Sequence, residues 1–163
     1  MINNVMQNMI TYYTGDPKRI QHFLKVHSFS KYIAISEDID PQMLEILEIA
    51  ALTHDIGIRV SEEKYGECDG KMQELEGPIV AHQMLKSIGC SKEIIDRVCF
   101  LIGHHHTYDN IIGLDYQILV EADFLVNIYE AKMQDEAILN VKNRIFKTKA
   151  GLDLIDTMFL NGK

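Results

Sequence analysis

The chain has only three prolines, and each reads as standing where a helix begins. Asp16-Pro17 and Asp40-Pro41 read as an N-cap residue followed by proline at the first helical position. Gly77-Pro78 gives a third start of the same kind. Between these points apolar residues recur at three- and four-residue spacing and never alternate, so the pattern predicts helices and no sheet. Ile20, Phe23, Leu24, His27 and Ala34 form one stripe. Leu44, Leu47, Ala51 and His54 form another, which Gly57 would end as a C′ residue. Ile79, His82 and Leu85 align after Pro78, Gly89 ends that helix, and Ser91 caps the next to about His105. Further helices are expected over about 3–13, over 115–130, and from there to Leu160. Residues 59–76, charged and containing Tyr65-Gly66 and Asp69-Gly70, read as one long loop. The expected fold is all-α: a helical bundle, one domain over 1–163, with its motif-bearing core at about 16–130 and a helical extension over 131–163.

With 24 acidic and 16 basic residues the net charge is −8. This balance excludes the electrostatic footprint of a protein that binds polymeric nucleic acid. An anionic substrate would need a local reversal of the field, which bound divalent cations supply. No run of apolar residues is long enough to span a membrane, and no leader is visible at the N-terminus. Cys68, Cys90 and Cys99 are odd in number and form no CxxC pair. They read as reduced thiols, and the expected location is the cytoplasm.

The chemistry lies in histidines and aspartates. His27, His54, His82 and His104 each follow the inner stripe of a different helix. A single histidine in such a place is ordinarily a hydrogen-bonded core residue; four of them point to ligands. Asp55 stands at a helix C-terminal end, where the macrodipole disfavours an anion. Asp123 shares its helix face with Leu119, Val120 and Val126. A buried carboxylate needs a partner, and either a neighbouring helix or a shared cation would supply one. A cation would also use neutral imidazoles as ligands. His22 and His106 read as surface or outlying residues. Arg59 and Lys64, in or beside the long loop, read either as groups that neutralise a substrate phosphate or as solvated charge. The same holds for Lys71, and Tyr65 and Gln73 are weaker, uncharged candidates for contact with substrate. The methionines are core filler, and the helices after Asp123 cover the core or form homodimer contacts.

His27, His54-Asp55 and Asp123 in this order resemble the H…HD…D signature of the HD-domain superfamily of metal-dependent phosphohydrolases. Leu52-Thr53-His54-Asp55-Ile56-Gly57 is similar to the usual LxHDIG text, and Ala122-Asp123-Phe124-Leu125 to ADxL. His82 and the His104-His105 pair resemble the extra histidines of the binuclear members. The resemblance implies a helical fold and two divalent metal ions, without distinguishing Fe, Mn, Co, Ni, Zn and Mg. It assigns His27, His54, Asp55 and Asp123 to the first ion. It assigns a bridging role to Asp55, and His82 and His104 to the second ion, with His105 completing that site or contacting substrate. The catalytic group is then Asp55 and His105, with Arg59 and Lys64 on the phosphate. The implied activity is hydrolysis of a small phosphate ester or nucleotide by metal-activated water. A di-iron oxygenase on the same scaffold and a metal-dependent regulator without turnover are the alternatives. The HD-GYP cyclic-dinucleotide phosphodiesterases are not matched: Ile58 stands where they carry lysine, no Gly-Tyr-Pro text follows the histidines, and Phe23 replaces their additional acid.

Overall fold

The computed structural model describes residues 1–161, and these are helical with no strand among them. The order is α1 (Ile2–Tyr12), α2 (Pro17–Ser36), α3 (Pro41–Thr53), α4 (Gly57–Tyr65), α5 (Gly70–Ile88), α6 (Lys92–Ile102), α7 (Leu114–Glu130), α8 (Asp135–Ile145) and α9 (Lys149–Ile155). A π-helical turn, Asp156–Leu160, closes the described chain. No helix among the described residues is long and apolar enough to cross a membrane.

The capping signals at α2, α3 and α6 are used as written. Asp16 accepts from the Arg19 N–H, Asp40 from those of Gln42 and Met43, and Ser91 from that of Ile94. Each satisfies a backbone donor that a helix start leaves unpaired. Gly89 is left-handed, at φ 86°, and ends α5.

Two boundaries differ from the expectation. Residues 59–76 are not a loop: α4 and the first turns of α5 occupy them, and only 66–69 connect the two. Asp69 caps α5 by accepting from the Met72 N–H, so Pro78 falls inside that helix and does not open it. Gly57 does not end α3 as a C′ residue; α3 stops at Thr53 and Gly57 opens α4. Its lack of a side chain serves a helix crossing. A Cβ built on Gly57 would stand 2.7 Å from the Gly77 nitrogen of α5, and one on Gly77 would stand 2.6 Å from a methyl of Ile102 in α6. The glycine pair lets α4 lie against α5, which brings the start of α4 beside the segment carrying Gln73.

α2, α3 and α7 pack on one another and form the centre of the molecule. Phe23, Val26 and Ile33 of α2 meet Leu47, Ile49 and Leu52 of α3 and Ile118, Leu119 and Leu125 of α7 in one buried cluster. Burial of this size is the main favourable contribution to folding. The extension after α7 joins that cluster through Ile138, Ile145, Phe146 and Ile155. Its docking point is Glu121, fully buried, whose Oε1 accepts from the N–H groups of Lys147 (2.6 Å) and Thr148 (2.9 Å).

Candidate metal centre

His54 and Asp55 occupy the tight turn between α3 and α4. The turn is held from α1: the Tyr13 hydroxyl donates to the Asp55 carbonyl at 2.7 Å and the Tyr12 hydroxyl to that of Ile56 at 3.3 Å. α2 contributes His22 and α7 contributes Asp123. The turn after α6 contributes His105 and His106. Ligand atoms of His22, His54 and Asp123 lie within 4.8 Å of one another, and so do those of Asp55, His105 and His106.

The hydrogen bonds of each ring fix its tautomer. Nδ1 of His22 donates to Glu130 Oε2 at 2.9 Å, Nδ1 of His54 to the Ala51 carbonyl at 2.9 Å, and Nδ1 of His105 to the Ile102 carbonyl at 2.7 Å. The proton of each neutral ring is therefore on Nδ1, and each Nε2 carries a lone pair. His22 Nε2 and His54 Nε2 face each other at 3.2 Å. Asp123 Oδ1 stands 3.2 Å from the first and 3.5 Å from the second, and His105 Nε2 stands 3.5 Å from Asp55 Oδ1. These are acceptors facing acceptors. Asp123 Oδ1 and His105 Nε2 are buried without a hydrogen-bond partner, a costly arrangement unless something positive sits between them. A divalent cation fits this donor set of imidazole nitrogens and carboxylate oxygens.

The protein answers electrostatically in the same direction. Burial pushes the His54 pKa down, but the Asp55 charge and contact with Asp123 outweigh it and hold the ring well above its ordinary value. His22 is likewise raised: burial opposes, and Asp123 and Asp55 prevail. Burial pushes both carboxylates up, yet the His54, His105 and His22 rings keep Asp55 well below the carboxylate range, and His22 and His54 keep Asp123 below it. His106 moves the other way, to about 4, through burial and the neighbouring His105. Its Nε2 sits 3.0 Å from Gln73 Oε1, so Nε2 carries the proton and Nδ1 the lone pair.

His22 and His106 are thus members of the cluster, and five of the expected site residues stand apart from it or point elsewhere. His27 Nε2 contacts Glu48 Oε1 at 2.9 Å, which Lys31 also binds. The buried stripe of α2 runs His22, Val26, Ser30 and Ile33, and five residues of helix turn His27 away from His22. That four-residue rhythm was the signal for His22. His82 is exposed on α5, in a hollow with Lys86 and Asp96. His104 donates Nδ1 to the Phe100 carbonyl and stacks on the Phe100 ring, with centroids 4.2 Å apart. Arg59 is exposed, paired with Glu63 and the Tyr12 carbonyl, and Lys64 is taken by Glu76 at 2.5 Å.

Beside the cluster opens a cavity of about 340 Å³. The N-terminal turns of α2 supply Asp16, Lys18 and Arg19 to one wall, and α7 supplies Asn127 and Glu130 to another. Ile58 and Gln73 close it from α4 and α5. Arg19 is braced by Asp16 at 3.1 Å and Glu62 at 2.6 Å.

An all-α fold with histidines and aspartates from four separate segments gathered into neighbouring groups defines a helical protein with a candidate metal centre. The chain belongs to the HD domain family, whose model it matches over residues 19–139. A crystal structure of a predicted HD superfamily hydrolase from an uncultured Thermotogales bacterium is similar: it is 28 % identical, with a TM-score of 0.65, over 96 % of this chain and 82 % of that one. No curated protein matches the chain. The α2 histidine that reaches the cluster is His22, five residues before the expected His27.

Proposed function

We propose that the protein is a metal-dependent phosphohydrolase acting on a small phosphate ester. The observation that carries this reading is the convergence of three Nε2 atoms, each left free by an Nδ1 hydrogen bond, with two carboxylates, beside a cavity that His22, Asp55 and Asp123 line together with Lys18 and Arg19. His22, His54, Asp55 and Asp123 would hold one divalent cation. Asp55, with His105 and His106, would hold a second. When bound, such ions supply positive charge to a phosphoryl oxygen and lower the pKa of a water molecule toward neutrality.

The remaining work falls to the chain. Glu130 and the Ala51 and Ile102 carbonyls orient the three rings and keep Nε2 free, which in metal sites also raises ligand basicity. Arg19, held in place by Asp16 and Glu62, presents a fixed guanidinium to a phosphate entering over α2. Lys18 is exposed and has no carboxylate partner, so it is free to follow the phosphate. These two take the role first expected of Arg59 and Lys64. The test is phosphate release from p-nitrophenyl phosphate by protein loaded with Mn²⁺, Co²⁺ or Fe²⁺. Turnover that Asp55→Asn abolishes together with metal content is the expected result. Full metal content and undiminished turnover in Asp55→Asn would overturn the assignment.

A further inference from the structure

Ligand cavities are ordinarily lined by apolar and aromatic side chains with a few polar groups placed among them. The cavity over the metal centre is the reverse. Ile58 is the one apolar side chain lining it among the described residues. The rings in its wall are the imidazoles of His22 and His106, both held within the cluster by their nitrogens, and no Phe, Tyr or Trp ring lines it. A nucleobase needs a flat apolar face or a ring to lie against. Phe23, next to His22, is buried in the core, and Tyr108 and Phe124 pack on each other with centroids 5.2 Å apart and line a different hollow with Arg144, which shares no residue with this one.

Two polar side chains in the wall have spare hydrogen-bonding capacity. Asn127 lies one turn beyond Asp123 on α7, half-buried, and its amide makes no hydrogen bond among the described residues. Gln73 spends its oxygen on His106 and one amide N–H on the Cys68 thiol, and keeps the other. A half-buried amide without a partner is satisfied by whatever enters the cavity, and an Asn side chain both donates and accepts, as a hydroxyl does. The charge of the wall sets a second limit. Four carboxylates (Asp16, Asp55, Asp123 and Glu130) stand against two bases (Lys18 and Arg19). With Asp55 and Asp123 holding cations, Asp16 and Glu130 remain against Lys18 and Arg19, so the wall has no surplus positive charge for a phosphate beyond the one at the metals.

We infer, building on the phosphohydrolase reading, that the substrate is a hydroxyl-rich monophosphate, a sugar or polyol phosphate, with Asn127 and Gln73 binding its hydroxyls. A site built to hydrogen-bond a hydroxyl rejects the analogue that lacks it, because its polar groups are then left unpaired.

The Mn²⁺-loaded protein is assayed for phosphate release from glucose 6-phosphate, ribose 5-phosphate, glycerol 3-phosphate, AMP, ATP and p-nitrophenyl phosphate. A kcat/KM for a sugar or polyol phosphate at least about tenfold above that for AMP is expected, the worth of one or two hydrogen bonds. Asn127→Ala should raise KM for the preferred sugar phosphate about tenfold relative to p-nitrophenyl phosphate. Calorimetry on the Ca²⁺-loaded protein gives a reading independent of turnover: Asn127→Ala should weaken glucose 6-phosphate more than inorganic phosphate. AMP or ATP cleaved as well as the sugar phosphates, or an Asn127→Ala effect equal on all esters, overturns the inference and leaves the hydrolase reading in place. No cleavage of any ester, p-nitrophenyl phosphate included, overturns both.

Discussion

His22 Nε2 and His54 Nε2 face each other at 3.2 Å, and the Nδ1 protons of both rings are committed elsewhere, to Glu130 and to the Ala51 carbonyl. Two lone pairs so placed compete for whatever positive charge is available, a metal ion or a proton. This predicts opposite pH responses with and without metal. Without metal, His54 and His22 have raised pKa values. Their stabilisation is fully present below the ordinary histidine value of 6.5 and is lost as pH rises through the raised folded values. Asp55 and Asp123 have lowered values, so theirs is present above 3.8 and is lost as pH falls below that. Metal binding must displace the imidazole protons and so strengthens as pH rises. The difference in Tm between Mn²⁺-loaded and chelated protein should therefore widen from pH 6 to pH 8.5. A difference independent of pH would mean that the rings are not the ligands.

Helix starts, the all-α class and the His54-Asp55 and Asp123 parts of the centre were legible in the sequence, because they rest on local rules. Asp16, Asp40 and Ser91 cap their helices through bonds to residues two or three positions away, which a linear reading sees. The choice between His22 and His27 depends on which side of α2 meets α3 and α7. Both lie on stripes with apolar neighbours, and the apolar count around His27 favoured the wrong face. Pro78 misleads for a related reason: proline signals a helix start, but α5 tolerates it nine residues beyond its true cap, Asp69. The roles of Glu130, Tyr12 and Tyr13 have no sequence signature, since each acts across more than 40 residues of chain.

Substitutions among the histidines separate the two faces of α2. His22→Ala should lose metal measurably, by elemental analysis of the purified protein. His27→Ala should keep its metal and lose stability by about 1 kcal/mol, the worth of its bond to Glu48, seen as a lowered urea midpoint. His82→Ala and His104→Ala should keep their metal as well. Retention of metal by His22→Ala together with loss in His27→Ala would reverse the assignment of the cluster.

Glu130 touches no substrate atom in this reading and acts by positioning His22. It accepts from His22 Nδ1 at 2.9 Å and from Lys25 Nζ at 2.6 Å. Carboxylates that hold a ligating histidine in this way contribute about 10- to 100-fold to metal affinity. Glu130→Ala should show a loss of that size in competition with a coloured chelator, and Glu130→Gln, which can still accept from Nδ1, a smaller one. Equal affinity in wild type and Glu130→Ala would show that His22 is held by packing alone.

The last prediction concerns Gly57, which is buried and makes the crossing of α4 over α5. A Cβ there would meet the Gly77 nitrogen at 2.7 Å, the Gln73 carbonyl at 2.9 Å and the Gly77 Cα at 2.9 Å. All three are backbone atoms, so no side-chain rotation relieves the contact and the two helices must move apart. Overpacking of this kind costs about 1–3 kcal/mol. Because Gln73 bonds His106 from the same stretch of α5, the displacement should reach the metal centre as well. Gly57→Ala is thus expected to lower the urea midpoint and to weaken metal binding. Gly15→Ala is the control: its φ of 86° strains any side chain, yet nothing lies within 4 Å of the added atom, so stability should fall while metal affinity stays as it was. Wild-type stability in Gly57→Ala would mean that α4 and α5 do not approach as closely as their glycines allow.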